Sequence, residues 1–343
     1  MKQSASKSSS VIEIARGLGM AVSADPGAFL LGYCRRLIDR WTKDYGPRTL
    51  HELLQTAAVK IGLIIVEIHE DSDLAEVTER YVNAGEGGFA RVRSELDKRT
   101  FALAIRLRRS RKGCTHVAVI DCRGAKYARR WFSIWHEIVH LMLNPQLELD
   151  FRRTTEESKD PVEAMIDKIA GEFAFYPPMY DSPALSAGTI SLRDLETHRE
   201  RLSPEASRES SYATLVSRMQ RPALFVVARL ALKATEERAL HTHKPGDALP
   251  IPKLRVIRTA ASPTAKPAGL FIPHKYRVPA SSIIYRLFEG EVESANPTCS
   301  EIENLEEWED STGRRLPDLP ILVEAMRNGQ HVVFALITRA ARN

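Results

Sequence analysis

Residues 136 to 140 read His136-Glu137-Ile138-Val139-His140, two imidazoles four positions apart with a carboxylate between them. The flanks, Trp131-Phe132-Ser133-Ile134-Trp135 and Leu141-Met142-Leu143, are apolar and aromatic, so the stretch is expected to form a buried helix. Positions i and i+4 share a helix face. Both histidines can therefore grip one tetrahedral ion while Glu137 leans toward the water on that ion. The chemistry is metal-assisted hydrolysis, in which zinc brings a water toward a pKa of about 7 and Glu137 acts as base. Two histidines on an apolar helix also occur as plain core residues, so the segment downstream of the motif has to decide between the readings.

Beyond an acidic loop, Asp160-Pro161 is a helix start, and Val162 to Phe173 is apolar at helical spacing. Glu163 and Asp167 share one face of that helix. A carboxylate on a second helix is what a two-histidine site needs as third protein ligand, with the fourth position left open, and Glu163 is the residue expected there. Asp167, one turn on, is placed to accept the free ring N–H of a ligating histidine. Glu156 and Glu157 are lower-ranked rivals because they lie in the loop.

The run from Arg129 to His140 resembles the arginine-phenylalanine-threonine lead into the HExxH helix of ImmA/IrrE-type metallopeptidases. Glu163-Ala164-Met165-Ile166-Asp167-Lys168-Ile169-Ala170-Gly171-Glu172-Phe173, ending at Pro177-Pro178, resembles that family's second helix, where a glutamate precedes Asn or Asp by four. Ile138-Val139 replaces the usual Leu-Gly or Ile-Gly, Ser133 the usual threonine, Ile166 the usual alanine and Asp167 the commoner asparagine. None of these removes a ligand. The close likeness covers roughly residues 50 to 180 and a looser one extends to the C-terminus. The resemblance implies an α+β protein: a zincin-like HExxH metallopeptidase domain holding one Zn²⁺, a helical segment like a helix-turn-helix, and a C-terminal α+β, GAF-like sensor domain. It also implies an activity, cleavage of a helix-turn-helix repressor encoded beside the enzyme, which derepresses a stress or anti-phage response. Single-stranded DNA is the activating ligand that relatives suggest.

Around the motif the pattern divides into a disordered tail (1–24), the peptidase domain (25–180), the helical segment (181–240), a linker (241–250) and the sensor domain (251–343). Helices are expected from Ala28 to Tyr45 and Arg48 to Ile61, the second leading through Gly62 into a strand at Leu63 to Glu67. Asp71 to Gly88, acidic and then Gly-rich, reads as loop. Thr100 to Leu107 and Thr115 to Asp121 alternate as strands of a hairpin turning at Arg108 to Gly113. After Pro178 helices are expected at Ser191 to Arg201, from Ser203-Pro204-Glu205 onward, at Ser210 to Arg218 and at Leu224 to Leu240. His241-Thr242-His243 lies in a polar linker with no third ligand near. Leu254 to Arg258, Ser282 to Leu287 and His331 to Ile337 read as strands, and Pro320 to Arg327 as a helix.

The hairpin is basic. Arg108, Arg109, Arg111 and Lys112 sit at its turn, within a longer run from Arg91 to Arg130 that has few acids. Such a patch could attract an acidic substrate segment or a nucleic-acid backbone, or be no more than solvated loop charge. In zinc peptidases of the resembled plan, the strand before the motif helix borders the cleft and pairs with substrate as an added strand. Cys114 and Cys122 bracket that strand. Cys114, next to Arg111 and Lys112 and after Gly113, is the candidate for an inhibitory fourth ligand that would keep the site latent.

The chain has 343 residues, 43% hydrophobic and 27% charged, with a formal net charge of +5. That supports two domains with real cores. No apolar run approaches the ~20 residues of a membrane helix, and Met1 to Ser10 lacks a signal-peptide apolar region. Four scattered cysteines fit a reducing cytoplasm better than a disulfide framework. Two other classes of function stay open: a DNA-binding regulator with a vestigial metal site, and a ligand sensor whose zinc is structural. Zinc hydrolysis of a small amide is a further enzymatic option.

Overall fold

The computed structural model describes residues 8–43, 46–96, 100–143, 151–154, 160–181, 190–241, 249–292, 298–308 and 315–340. The motif stretch is a helix, Arg130–Leu143, and every residue from Ser133 to Leu143 is buried. A helix apolar on all sides must be covered on all sides. One cover is the sheet formed by β1 (Leu63–Ile68), β2 (Thr100–Arg111), β3 (Cys114–Asp121) and β4 (Phe151–Thr154), in the order β1-β3-β2-β4. β1 runs parallel to β3, and the other pairs are antiparallel. The opposite cover is the helix Pro161–Ala174.

β3 is therefore a central strand, paired on both sides. It has no free edge for a substrate backbone, contrary to the expectation from the resembled plan, because β1 returns parallel beside it. That return depends on Gly62. Its φ is +71°, and a Cβ there would meet the Gly113 carbonyl oxygen at 2.9 Å. Gly62 in turn accepts hydrogen bonds from the Thr115 and His116 amides at 2.8 and 3.2 Å. The hairpin turn is tighter than the sequence suggested. β2 continues through Arg111, and only Lys112 and Gly113 turn, both with positive φ, as a two-residue type I′ connection requires.

Asp71–Asn83, expected as loop, is a helix. Asp73 accepts from the His69 and Glu70 amides at 2.9 and 3.0 Å, and Leu74, Val77 and Tyr81 pack against Phe89, Leu103, Ile105, Val117 and Val119. These three apolar residues at helical spacing are hidden in the sequence among acidic neighbours, Glu70, Asp71, Asp73, Glu76 and Glu79. The expected tail also contains a helix, Ser9–Gly17, capped by Ser8 and burying Val11 and Ala15. Residues 1–7 lie outside the described part.

Asp121 ends β3, fully buried, with Arg123 Nε at 2.8 Å and Lys126 Nζ at 2.6 Å. Burial works to raise its pKa, but the hydrogen bonds from Arg123 and Lys126 outweigh it and hold the carboxyl below its ordinary 3.8. A lowered folded value means stability that is present above that ordinary pKa and lost as pH falls through the folded one. Asp121→Ala should cost roughly 3 kcal/mol, the low end for breaking a buried pair, because Arg123 and Lys126 can turn to water. Urea unfolding at neutral pH measures it, and the gap from wild type should narrow below pH ~4.

The chain divides into two units, Met1–Tyr180 with Leu202–Ser207, and Asp181–Arg201 with Arg208–Asn343. The expected helical segment and sensor region thus belong largely to one body. Its sheet comprises β5 (Ala223–Ala231), β6 (Lys253–Ala261), β7 (Cys299–Asn304), β8 (Pro320–Arg327) and β9 (Val332–Arg339), all antiparallel, in the order β6-β5-β9-β8-β7. β5 lies where a helix was expected at Leu224 to Leu240, and a short helix, Ala234–His241, follows it. Leu224, Val226 and Ala228 face one core, while Phe225 meets Phe334 and Tyr212 edge-on across the other face. A strand covered on both faces reads as an unbroken apolar run, which periodicity does not separate from a buried helix.

Two further exchanges have local causes. Ile283–Glu289, expected as strand, is a helix capped by Ser282 and closed by Gly290 at φ +85°. β8, expected as helix, buries Ile321, Val323 and Ala325 alternately against its neighbours, so tertiary pairing overrides the helix propensity of Leu, Glu, Ala and Met. Ser203-Pro204-Glu205 makes a turn rather than opening a helix, and helices Leu192–Leu202 and Arg208–Arg218 flank it. Most of the expected linker, residues 242–248, lies outside the described part.

Candidate metal centre

Two antiparallel helices bring the site together in steps of one turn. Phe132 lies beside Gly171, where a Cβ would sit 3.6 Å from the ring. One turn along the motif helix, and one turn back along Pro161–Ala174, His136 Nδ1 is 2.9 Å from Asp167 Oδ1. A further turn pairs His140 Nε2 with Glu163 Oε1 at 3.4 Å. Aromatic contacts hold this register. Trp131 Nε1 donates to the Ala174 carbonyl at 2.8 Å, and Trp135 stacks on Phe173 with centroids 5.7 Å apart. Asp160 caps the second helix by accepting from the Val162 amide at 2.8 Å, with Pro161 in its first turn.

The three expected ligands converge. His136 Nε2 and His140 Nε2 are 3.0 Å apart, and the Glu163 oxygens lie 3.3 Å from the first and 3.4 Å from the second. Around a zinc ion with ligand bonds of ~2.0–2.2 Å, tetrahedral ligands sit roughly 3.3 Å from one another, so the donor set fits the ion. Among the described residues, no fourth side chain joins this group. Both histidines and Glu137 are buried, with Glu163 partly open. Burial works to raise the Glu163 pKa, but hydrogen bonding to His136 and His140 outweighs it and holds the carboxyl well below the usual range. Glu163 is thus ionised, as a ligand must be. Glu137 follows His136 on the helix, about 60° around the axis from His140.

Asp167 lies beside His136, as its spacing from Glu163 predicted. Its carboxylate holds His136 Nδ1 and so turns Nε2 toward the ligand cluster. Asp167→Ala should weaken zinc binding about tenfold, the lower end of the effect of such partners, since Asp167 is half-exposed and water can replace it. Competition with a chromogenic chelator reads this directly. An unchanged affinity would remove Asp167 from the site.

Other expected site residues lie elsewhere. Cys114 is not among the converging ligand atoms. It sits at the hairpin end opposite Arg111, whose guanidinium lies over Tyr81 at 5.5 Å. Two tyrosines close in sequence to the second helix have hydroxyl contacts of their own. Tyr176 donates to Asp39 at 2.9 Å, and Tyr180 is fully buried with its hydroxyl 3.5 Å from that of Ser203. Glu156 and Glu157 lie outside the described residues. No family model matches the chain, and no curated protein matches it.

The basic run resolves into two parts. Arg123 and Lys126 serve Asp121, Arg130 serves Glu67 at 3.1 Å, and Arg129 lies over Phe101. Arg108, Arg109 and Lys112 at the hairpin tip are exposed, with Arg111 half-buried. Thr115 and His116, at the turn end of β3, share a cavity of about 320 Å³ with Leu141 and Met142 of the motif helix, so the tip stands near the end of the helix that carries His140. In the second unit, Arg255 is buried and donates to the Ala231 and Lys275 carbonyls, Arg258 pairs with Glu209 at 2.7 Å, and Arg286 pairs with Glu301. Arg208 pairs with Glu196 and Arg218 with Asp181, both at 2.9 Å. These five arginines thus have carboxylate or carbonyl partners within the chain.

Proposed function

We propose that this chain is a zinc-dependent endopeptidase of the ImmA/IrrE kind, whose substrate is a helix-turn-helix repressor. The observation that carries the reading is the convergence of His136, His140 and Glu163 at 3.0–3.4 Å with Asp167 behind His136 and Glu137 adjoining. Three protein ligands leave one coordination position open, which favours a catalytic over a structural ion. When bound, zinc supplies the Lewis acid for a peptide carbonyl and lowers the pKa of water. Glu137 takes the proton of the attacking water on a carboxylate oxygen and returns it to the departing amine. His136 and His140 hold their Nε2 atoms in place through the motif helix, and the aromatic packing of Trp131 and Trp135 fixes that helix against the one bearing Glu163. The exposed basic tip at Arg108, Arg109 and Lys112 would draw an acidic substrate segment to the end of the motif helix. A five-stranded antiparallel sheet in the second unit is compatible with a GAF-like sensor domain, with single-stranded DNA as candidate activator.

No helix among the described residues is long and apolar enough to cross a membrane. The DNA-regulator reading gains nothing from helix Arg208–Arg218, which packs on β5 and β6. The test is to incubate the full chain with zinc and the repressor encoded beside it, with and without single-stranded DNA, and to weigh the products. Two repressor fragments, absent with Glu163→Ala, are expected. An intact repressor under every condition, or cleavage that persists without metal, would refute the proposal.

A further inference from the structure

The parallel pairing of β1 and β3 builds a second cluster of donors, separate from His136, His140 and Glu163. Ile68 is the partner of Asp121, and the Cys122 amide donates to the Ile68 carbonyl at 2.8 Å. The chain leaving β3 is thereby fastened beside the chain leaving β1. Cys122 Sγ comes 3.9 Å from Glu67 Oε2, and His69 Nε2 lies 3.3 Å from the same oxygen. All three donor atoms fall within 4.8 Å of one another.

From this geometry we infer a second metal site, made by Cys122, His69 and Glu67 and suited to zinc or another thiophilic divalent cation. Bond lengths of ~2.3 Å to sulfur and ~2.0–2.2 Å to nitrogen and oxygen put tetrahedral donors roughly 3.3–3.6 Å apart, so Glu67 already suits both partners to within a few tenths of an ångström, and the thiol and imidazole, within 4.8 Å of each other, close by about an ångström at most. Arg130 Nη1 donates to Glu67 Oε1 at 3.1 Å and, at the longer distance of 3.4 Å, to Oε2, the oxygen that also lies 3.9 Å from the thiol and 3.3 Å from the imidazole. A carboxylate held from behind by a guanidinium is an oriented ligand. Cys122 is buried, Glu67 is half-buried and His69 is half-exposed, which gives an ion a way in and a protected sulfur to meet. Binding of a cation displaces the thiol proton to solvent, since the ligand is the thiolate. The filled site would tie the ends of β1 and β3, through Glu67 and Arg130, to the first turn of the motif helix.

The inference is independent of the peptidase reading, and cobalt separates the two. A thiolate ligand gives Co²⁺ an intense near-ultraviolet charge-transfer band, whereas a site of two histidines and a glutamate gives none. The full-length, metal-stripped, reduced protein is titrated with Co²⁺. Two equivalents are expected, with the thiolate band rising as one of them binds. Glu163→Ala should lose the tight binding of one equivalent and keep the band. Cys122→Ser should lose the band and keep the other equivalent, Cys114→Ser should leave both, and His69→Ala should weaken the band-forming step tenfold or more. His69 is exposed enough for that variant to fold even if Cys122→Ser does not. Absence of a thiolate band from the wild type, its survival in Cys122→Ser, its loss in Cys114→Ser, or an unchanged affinity in His69→Ala would each overturn the inference.

Discussion

Glu137→Gln should bind zinc as tightly as the wild type, fold as well, and cleave its substrate on the order of a thousandfold more slowly. Glutamine matches the volume of glutamate, and Glu137 is fully buried, so an isosteric change leaves the packing of the motif helix intact. The ligands His136, His140 and Glu163 are untouched, and zinc content should stay at its wild-type value. What disappears is a basic oxygen. An amide cannot take a proton from water or hand one to a leaving amine, and general acid–base steps contribute about 10²–10⁴ in rate. The comparison pairs zinc stoichiometry and circular dichroism with fragment yield from the repressor. Full zinc with normal cleavage would require another base. Lost zinc together with lost cleavage would show Glu137 to be structural.

Glu163→Ala should lower zinc affinity on the order of a thousandfold and leave the metal-free fold close to wild type. Tight zinc sites are worth about 10–16 kcal/mol in all, so one of three protein ligands carries several kcal/mol, and each 1.4 kcal/mol is tenfold in affinity. Glu163 lies on the open side of its helix with its side chain 27% exposed, so truncation opens no core cavity. Removing His140, by contrast, would hollow a buried helix and confuse metal loss with unfolding. Glu163→Ala therefore isolates the ligand role. Chelator competition gives the affinity, and thermal unfolding of the metal-free protein gives the control. Wild-type affinity in this variant would mean that the ion, if bound, draws its third ligand from elsewhere. Asp167→Ala, expected to change affinity only about tenfold, sets the scale for a residue that acts through His136.

The candidate centre was legible because its information is local. His136, Glu137 and His140 follow from the period of one helix, and Glu163 and Asp167 from the period of another with an Asp-Pro start. The i, i+4 spacing on each helix matches the one-turn ladder by which the helices meet. The elements around them were less legible. Helix Asp71–Asn83 hid among acids, β5 hid as an apolar run, and β8 carries residues that favour helix until its neighbours pair with it. In each case the deciding interaction comes from far along the chain.

The second donor cluster belongs wholly to that latter kind. Glu67 and His69 are over fifty residues from Cys122, with no motif spacing to join them. By itself the sequence determined the motif helix, its partner and the donor types, since these depend on periodicity and on caps within a few residues. Only the tertiary structure decided that β3 is central, that Cys114 stands apart from the three converging ligands, that Arg123, Lys126, Arg129 and Arg130 serve internal carboxylates and a ring, and that Cys122 meets Glu67 and His69. Those facts depend on which strand pairs with which, and pairing is set by the burial of whole faces rather than by any short stretch of residues.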